Sequence, residues 1–213
     1  MDQGFPGAIK IYVTYKIESD DSFSITYEGT PDADTIINMT NHSYFNLNGQ
    51  GTGSILNHTV KLNADKYTPT DANLIPTGEI ADVENTPMDY RQGKTIGKDI
   101  EEDFEQLKIP GGFDHNFAIN GYDGSIKKAA EFIGDKTGIA MDVYTDYPGI
   151  QLYTGNFIGN IIGKGGVEYK NHEAVCFEPQ FFPDAINHKE FVSPVCKKNE
   201  TYKRTIKYSF KTA

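Results

Sequence analysis

Between Ala8 and Ile17 the chain alternates residue by residue, with Ile9, Ile11, Val13, Tyr15 and Ile17 on one side and Lys10, Tyr12, Thr14 and Lys16 on the other. Only extended backbone puts every second side chain on one face, so the stretch predicts a half-buried β-strand. A polar turn, Glu18-Ser19-Asp20-Asp21, follows. Ser22–Glu28 then alternates again through Phe23, Ile25 and Tyr27, which predicts a hairpin. The same period recurs in Lys127–Ile133 with Gly138–Tyr147 and in Arg204–Lys211, and shorter strands are expected at Ile36–Thr40, His58–Leu62 and Ile150–Thr154. Ala174–Glu178 is apolar up to its carboxylate. Pro179 is expected to end that strand, leaving Glu178 at its terminus. One segment carries helical spacing: Ile96, Ile100, Phe104 and Leu107 within Thr95–Leu107. Many short strands and at most one helix predict an all-β sandwich, read as a single domain over residues 1–213.

Composition narrows the function classes. Thirty acidic residues against twenty Lys and Arg give a formal charge of -10. A nucleic-acid partner is therefore not expected, since binding the phosphate backbone needs clustered cations. No apolar run approaches the ~18 residues of a membrane span, and Met1–Lys10 has no signal-peptide pattern. The two cysteines, Cys176 and Cys196, lack the spacing of a disulfide framework or zinc site. A cytoplasmic protein with reduced thiols and no membrane partner is expected.

Candidate chemistry concentrates in two runs. Asn41-His42-Ser43-Tyr44-Phe45-Asn46-Leu47-Asn48-Gly49 packs a histidine, several amides and two rings behind the strand at Ile36–Thr40. Gly111-Gly112-Phe113-Asp114-His115-Asn116-Phe117 couples Asp, His and Asn to aromatics after a glycine turn. The loop Gly49-Gln50-Gly51-Thr52-Gly53 lacks the Lys-Ser/Thr ending of a phosphate loop. On composition alone His42 reads as an ordinary core or loop histidine.

Four motifs change that reading. Asn41-His42-Ser43-Tyr44-Phe45-Asn46-Leu47, Gly112-Phe113-Asp114-His115-Asn116-Phe117, Gln151-Leu152-Tyr153-Thr154-Gly155-Asn156 and Phe177-Glu178-Pro179-Gln180 stand in the order in which similar motifs occur in galactose mutarotases (aldose 1-epimerases). The tail Phe182-Pro183-Asp184-Ala185-Ile186-Asn187-His188 extends the resemblance. It implies an antiparallel β-supersandwich that interconverts the α and β anomers of free aldohexoses such as galactose and glucose. By the same resemblance Glu178 is the general base at the C1 hydroxyl and His42 the general acid at the ring oxygen. Asp114 and Gln151 then hydrogen-bond sugar hydroxyls, and neither a metal nor an organic cofactor is required. An acid and a base are what opening a hemiacetal needs, because a C–O bond breaks as an O–H proton leaves. Tyr44, Phe45, Phe113, Phe181 and Phe182 are candidate stacking walls, and His115 is expected to support its loop rather than do chemistry.

The chain departs from the family in length. The resemblance covers a C-terminal portion, without the N-terminal strands that supply a sugar-gripping arginine and a further histidine. The expectation is an exposed apolar surface, self-association or pairing with an N-terminal segment. An inactive carbohydrate-binding protein on the same fold is the alternative function. A phosphosugar is less attractive, because Arg91 and Arg204 are the only arginines.

Overall fold

The computed structural model describes residues 4–213. In chain order its strands are β1 (Ile9–Ile17), β2 (Ser22–Pro31), β3 (Thr35–Ile36), β4 (Tyr44–Phe45), β5 (Thr59–Leu62), β6 (Lys66–Tyr67), β7 (Ala81–Asp82), β8 (Lys94–Thr95), β9 (Asp114–Ala118), β10 (Lys127–Ile133), β11 (Ile139–Thr145), β12 (Gly149–Tyr153), β13 (Ile161–Ile162), β14 (Glu168–Tyr169), β15 (Val175–Gln180), β16 (Val195–Cys196) and β17 (Tyr202–Thr212). Seven of them form an antiparallel sheet in the order β1-β2-β17-β11-β10-β5-β8, and six form a second in the order β4-β15-β12-β9-β6-β7.

The sheets meet through the inward half of each alternation. Ile25 and Tyr27 of β2, Ile206 and Tyr208 of β17, Met141 and Val143 of β11, and Phe132 of β10 belong to one buried cluster with Leu152 of β12, Phe117 of β9 and Phe177 of β15. Phe132 and Phe177, both fully buried, approach with ring centroids 5.3 Å apart. The Tyr208 hydroxyl donates to the Phe177 carbonyl at 3.0 Å, so this polar atom also finds a partner inside the core. Among the described residues no helix is long and apolar enough to cross a membrane.

Three expectations are corrected. The first is the half-buried strand at the N-terminus. Val13 and Tyr15 of β1 lie opposite Tyr27 and Ile25 of β2, on the core-facing side. Ile9 and Ile11 of the same face pack against the core, but beyond them the strand is uncovered, and Val13, Tyr15 and Ile17 are 42%, 67% and 90% exposed. Second, Thr95–Leu107 is not a helix. Its residues form a 3-10 turn at Ile96–Lys98 and a single helical turn, α1 (Glu105–Lys108). Lys94 and Thr95 pair with β5, and the Ile96 and Gly97 amides donate to the His58 and Leu56 carbonyls, which ties the start of the segment to a distant strand; the backbone then leaves helical angles at Asp99 and is extended at Phe104. Ile96, Ile100 and Leu107 still reach the core, but from turns. Third, strand pairing between 35 and 40 is confined to Thr35–Ile36, and the segment after it is held by side chains, as described below.

Replacing Val13, Tyr15 and Ile17 together by Thr, Lys and Thr should reduce the binding of an apolar fluorescent dye while shifting stability by no more than about 0.5 kcal/mol per site. Phe177→Ala should cost about 3–5 kcal/mol in a denaturant titration. Dye fluorescence that the triple variant leaves unchanged would place the exposed apolar surface elsewhere.

Candidate active site

Register decides which side chains share the outer face of the six-stranded sheet, because residues directly opposite each other in antiparallel strands point the same way. Tyr44 lies opposite Cys176, Cys176 opposite Tyr153, and Tyr153 opposite Asp114, a row across four strands. The next row holds Glu178, Gln151 and Asn116. From these rows Tyr44, Tyr153, Asp114, Gln151 and Glu178 reach a cleft of about 350 Å³ that His42 also lines, while Cys176 and Asn116 lie buried beneath it. All four candidate residues therefore come together. Tyr44, Tyr153, Gln180, Phe157 and Pro183 complete the walls.

Glu178 corrects the sequence expectation, since β15 runs through Pro179 to Gln180 and the carboxylate sits within the strand. The Pro179 carbonyl accepts a 2.8 Å bond from Thr40 Oγ1, so the proline nitrogen, on the same side of the extended chain, faces the 37–43 segment rather than β12. The missing N–H costs the β12 ladder nothing. That segment is fastened by amide mimicry: Asn38 Nδ2 donates to the Phe181 carbonyl and the Phe181 amide donates to Asn38 Oδ1, both at 2.9 Å. Asn41 and Asn46 are likewise structural. Asn41 Oδ1 accepts from the Ser43 amide, and Asn46 Nδ2 donates to the Gly53 and Glu173 carbonyls. Of the polar run, His42 and Tyr44 line the cleft.

The His42 ring stands between two tyrosines, with centroids 5.1 Å from Tyr44 and 5.8 Å from Tyr153. Its Nδ1 is 3.4 Å from Cys176 Sγ and its Nε2 is 3.4 Å from Glu178 Oε1. A chain of amides organises the other side. Gln180 Nε2 donates to Gln151 Oε1 at 3.0 Å, and Gln151 Nε2 donates to Asp114 Oδ1 at 2.8 Å. Burial and the neighbouring Asp114 carboxylate push the Glu178 carboxyl up to about 8. Burial also raises Asp114, opposed by the Gln151 bond and by His42. His115 is fully buried, its burial lowers it to about 4, and its Nδ1 accepts from the Asp114 amide; it holds the loop and stays neutral.

Of the five candidate walls only Tyr44, half-exposed, lines the cleft. Phe113, Phe181 and Phe182 are buried, and Phe45 packs against the core. Tyr153 and Gln180 were missed, yet each lies two residues from a chosen site residue, and the strand period would have found them. Beside the cleft, a larger apolar cavity of about 510 Å³ shares Tyr44 and Phe157 with it but contains no facing acid and base.

A family model described as aldose 1-epimerase matches residues 1–209. The chain is 39% identical over 215 residues to galactose mutarotase of Homo sapiens, covering 100% of this chain and 60% of that protein. It is 36% identical over 211 residues to aldose 1-epimerase of Escherichia coli (strain K12), covering 98% and 60%. The fold superposes on a crystal structure of an aldose epimerase homologue from C. elegans with a TM-score of 0.87 at 31% identity, covering 100% of this chain and 62% of the other. The galactose 1-epimerase of Lactobacillus acidophilus NCFM gives 0.83 at 29% identity, covering 98% and 59%. The chain thus spans about 60% of the length of these curated relatives.

The raised Glu178 carboxyl has a stability consequence. Between the unfolded value of about 4.3 and the folded value of about 8, the native state binds more protons than the unfolded one, so stability falls as pH rises through that window. Glu178→Gln should flatten this fall in chemical-denaturation curves taken from pH 5 to 8. Parallel curves for the two proteins would show that Glu178 ionises normally.

Proposed function

The chain belongs to the aldose 1-epimerase family, and on that premise we propose that it interconverts the α and β anomers of free aldohexoses such as galactose and glucose. The observation that carries the proposal is the contact between His42 Nε2 and Glu178 Oε1 at 3.4 Å on the floor of an open cleft. The two oxygens of a hemiacetal share one carbon, so an acid and a base this close can serve both at once.

In the forward direction ionised Glu178 takes the proton of the C1 hydroxyl while protonated His42 gives one to the ring oxygen, and the C1–O5 bond breaks. The open-chain aldehyde turns about C1–C2. Reclosure on the other face returns the proton from Glu178 to the carbonyl oxygen as His42 recovers its own. The net change is stereochemical only, with protons and electrons balanced. Asp114 accepts hydrogen bonds from sugar hydroxyls, held in place by Gln151, and the Tyr44 ring offers a flat face to the C–H side of the sugar.

Following the optical rotation of fresh α-galactose and α-glucose tests this. The chain should accelerate the approach to equilibrium, and Glu178→Gln should remove most of the acceleration, by about 10²–10⁴-fold for loss of a general base. The limb of the pH profile governed by Glu178 should rise with pH toward about 8. The alternative reading, a carbohydrate-binding protein without activity, draws support from the same raised carboxyl, which holds the base in its protonated form at neutral pH. A sugar that raises the melting temperature but leaves the spontaneous rate unchanged at every pH decides for it.

A further inference from the structure

Cys176 has no part in the reaction proposed above, yet it is fully buried at the cleft floor with its thiol against the His42 ring. One donor atom each from His42, Cys176 and Glu178 lie within 4.8 Å of one another. We propose that these three side chains bind a soft divalent cation, Zn²⁺ being the best match, at the base of the cleft. Imidazole nitrogen, thiolate sulfur and carboxylate oxygen are all zinc donors, and three protein ligands leave the fourth tetrahedral position open to the cleft.

The geometry is close to that of a formed site. Zn–S of about 2.3 Å and Zn–N of about 2.0 Å put sulfur and nitrogen about 3.5 Å apart in a tetrahedron, and Sγ already stands 3.4 Å from Nδ1. Because sulfur faces Nδ1 and the carboxylate faces Nε2, a cation held by one ring nitrogen requires the third donor to move in by about an ångström. His42 can supply that movement, since its side chain is 51% exposed and rides on an irregular segment. Cys176 and Glu178 are two residues apart on a central strand and stay fixed. Asp114, in the same row as Cys176 two strands away, adds negative charge that favours a cation. Cys196, the other thiol, lies away from the cleft among the Lys197 and Glu200 carbonyls.

Binding breaks the thiol S–H bond and, where Glu178 is protonated, its O–H bond as the metal–sulfur and metal–oxygen bonds form, so up to two protons are released to solvent per ion near neutral pH. The ion also occupies the histidine and glutamate assigned above as acid and base, and would block anomer exchange. That consequence for rate rests on the proposed function, whereas the binding itself does not.

The test titrates the chain, kept reduced with a non-chelating phosphine, with Zn²⁺ by calorimetry and with Co²⁺ by absorbance. A single ion per chain is expected, with a near-ultraviolet thiolate-to-cobalt charge-transfer band. Cys176→Ser should abolish the band and weaken zinc binding by more than about tenfold, the lower end of what losing even an outer partner costs. Cys196→Ser should leave both unchanged. His42→Asn, at an exposed side chain that folding does not depend on, should weaken binding by a similar factor with an unaltered circular dichroism spectrum. Where the chain is active, zinc should slow mutarotation and a chelator should restore it. A band that survives Cys176→Ser, His42→Asn binding zinc as tightly as the parent, or no saturable binding would overturn the site. Zinc that binds without slowing an active chain would overturn the blocking.

Discussion

The arrangement of the cleft depends on how β15 is registered against β12, and β12 against β9. With Gln151 opposite Glu178, and Tyr153 opposite both Cys176 and Asp114, polar groups from separate parts of the sequence emerge on one face. A slip of one residue would turn Glu178 into the core and Phe177 into the cleft. The register is enforced from behind, where Phe177, Leu152 and Phe117 are fully buried against the seven-stranded sheet. The hydrophobic term that folds the sandwich is thus the same term that places the carboxylates. At about 1.5–3 kcal/mol for each large side chain removed from water, the three together outweigh any single polar contact in the cleft, even one to a charged group at about 1.5–3 kcal/mol.

Two carboxyls share this face in different surroundings. Asp114 accepts a defined hydrogen bond from Gln151, which is itself oriented by Gln180. Glu178 has no comparable donor among the described residues beyond its contact with His42, and burial together with the Asp114 carboxylate raises it. Environments that separate the properties of paired acids suit them to different tasks. In the proposed reaction the bonded carboxylate would hold a sugar hydroxyl and Glu178 would exchange the proton.

The strands that could be read from the sequence are those whose alternation is both local and used. β2, β10, β11 and β17 each bury one face against the opposite sheet, so pattern and outcome agree. β1 has the same pattern but is covered only at Ile9 and Ile11; where cover ends depends on distant parts of the chain and leaves no trace within the strand. Thr95–Leu107 shows the converse: its apolar spacing is genuine, but its first amides are claimed by carbonyls some forty residues earlier in the chain. Pro179 misled because its effect depends on which side of the strand the ring nitrogen faces. In the site, His42, Asp114, Gln151 and Glu178 came from motif resemblance, not from periodicity. Tyr153, Gln180 and Cys176 were within reach of counting by twos, but Phe157, exposed on a loop, had no local signal.

The two halves of the His42–Glu178 pair are built on different kinds of support. Glu178 belongs to a strand laddered to β12 along its length and to β4 at Val175 and Cys176, while His42 hangs from a segment pinned by the Asn38 amide and the Thr40 hydroxyl. Side-chain pins can be exchanged one at a time without unzipping a sheet. The spacing between the two groups is therefore a dial that lies outside the pair itself. A lineage or an engineer could retune it through Asn38 and Thr40, residues outside the cleft lining, while the sheet keeps the glutamate where it is.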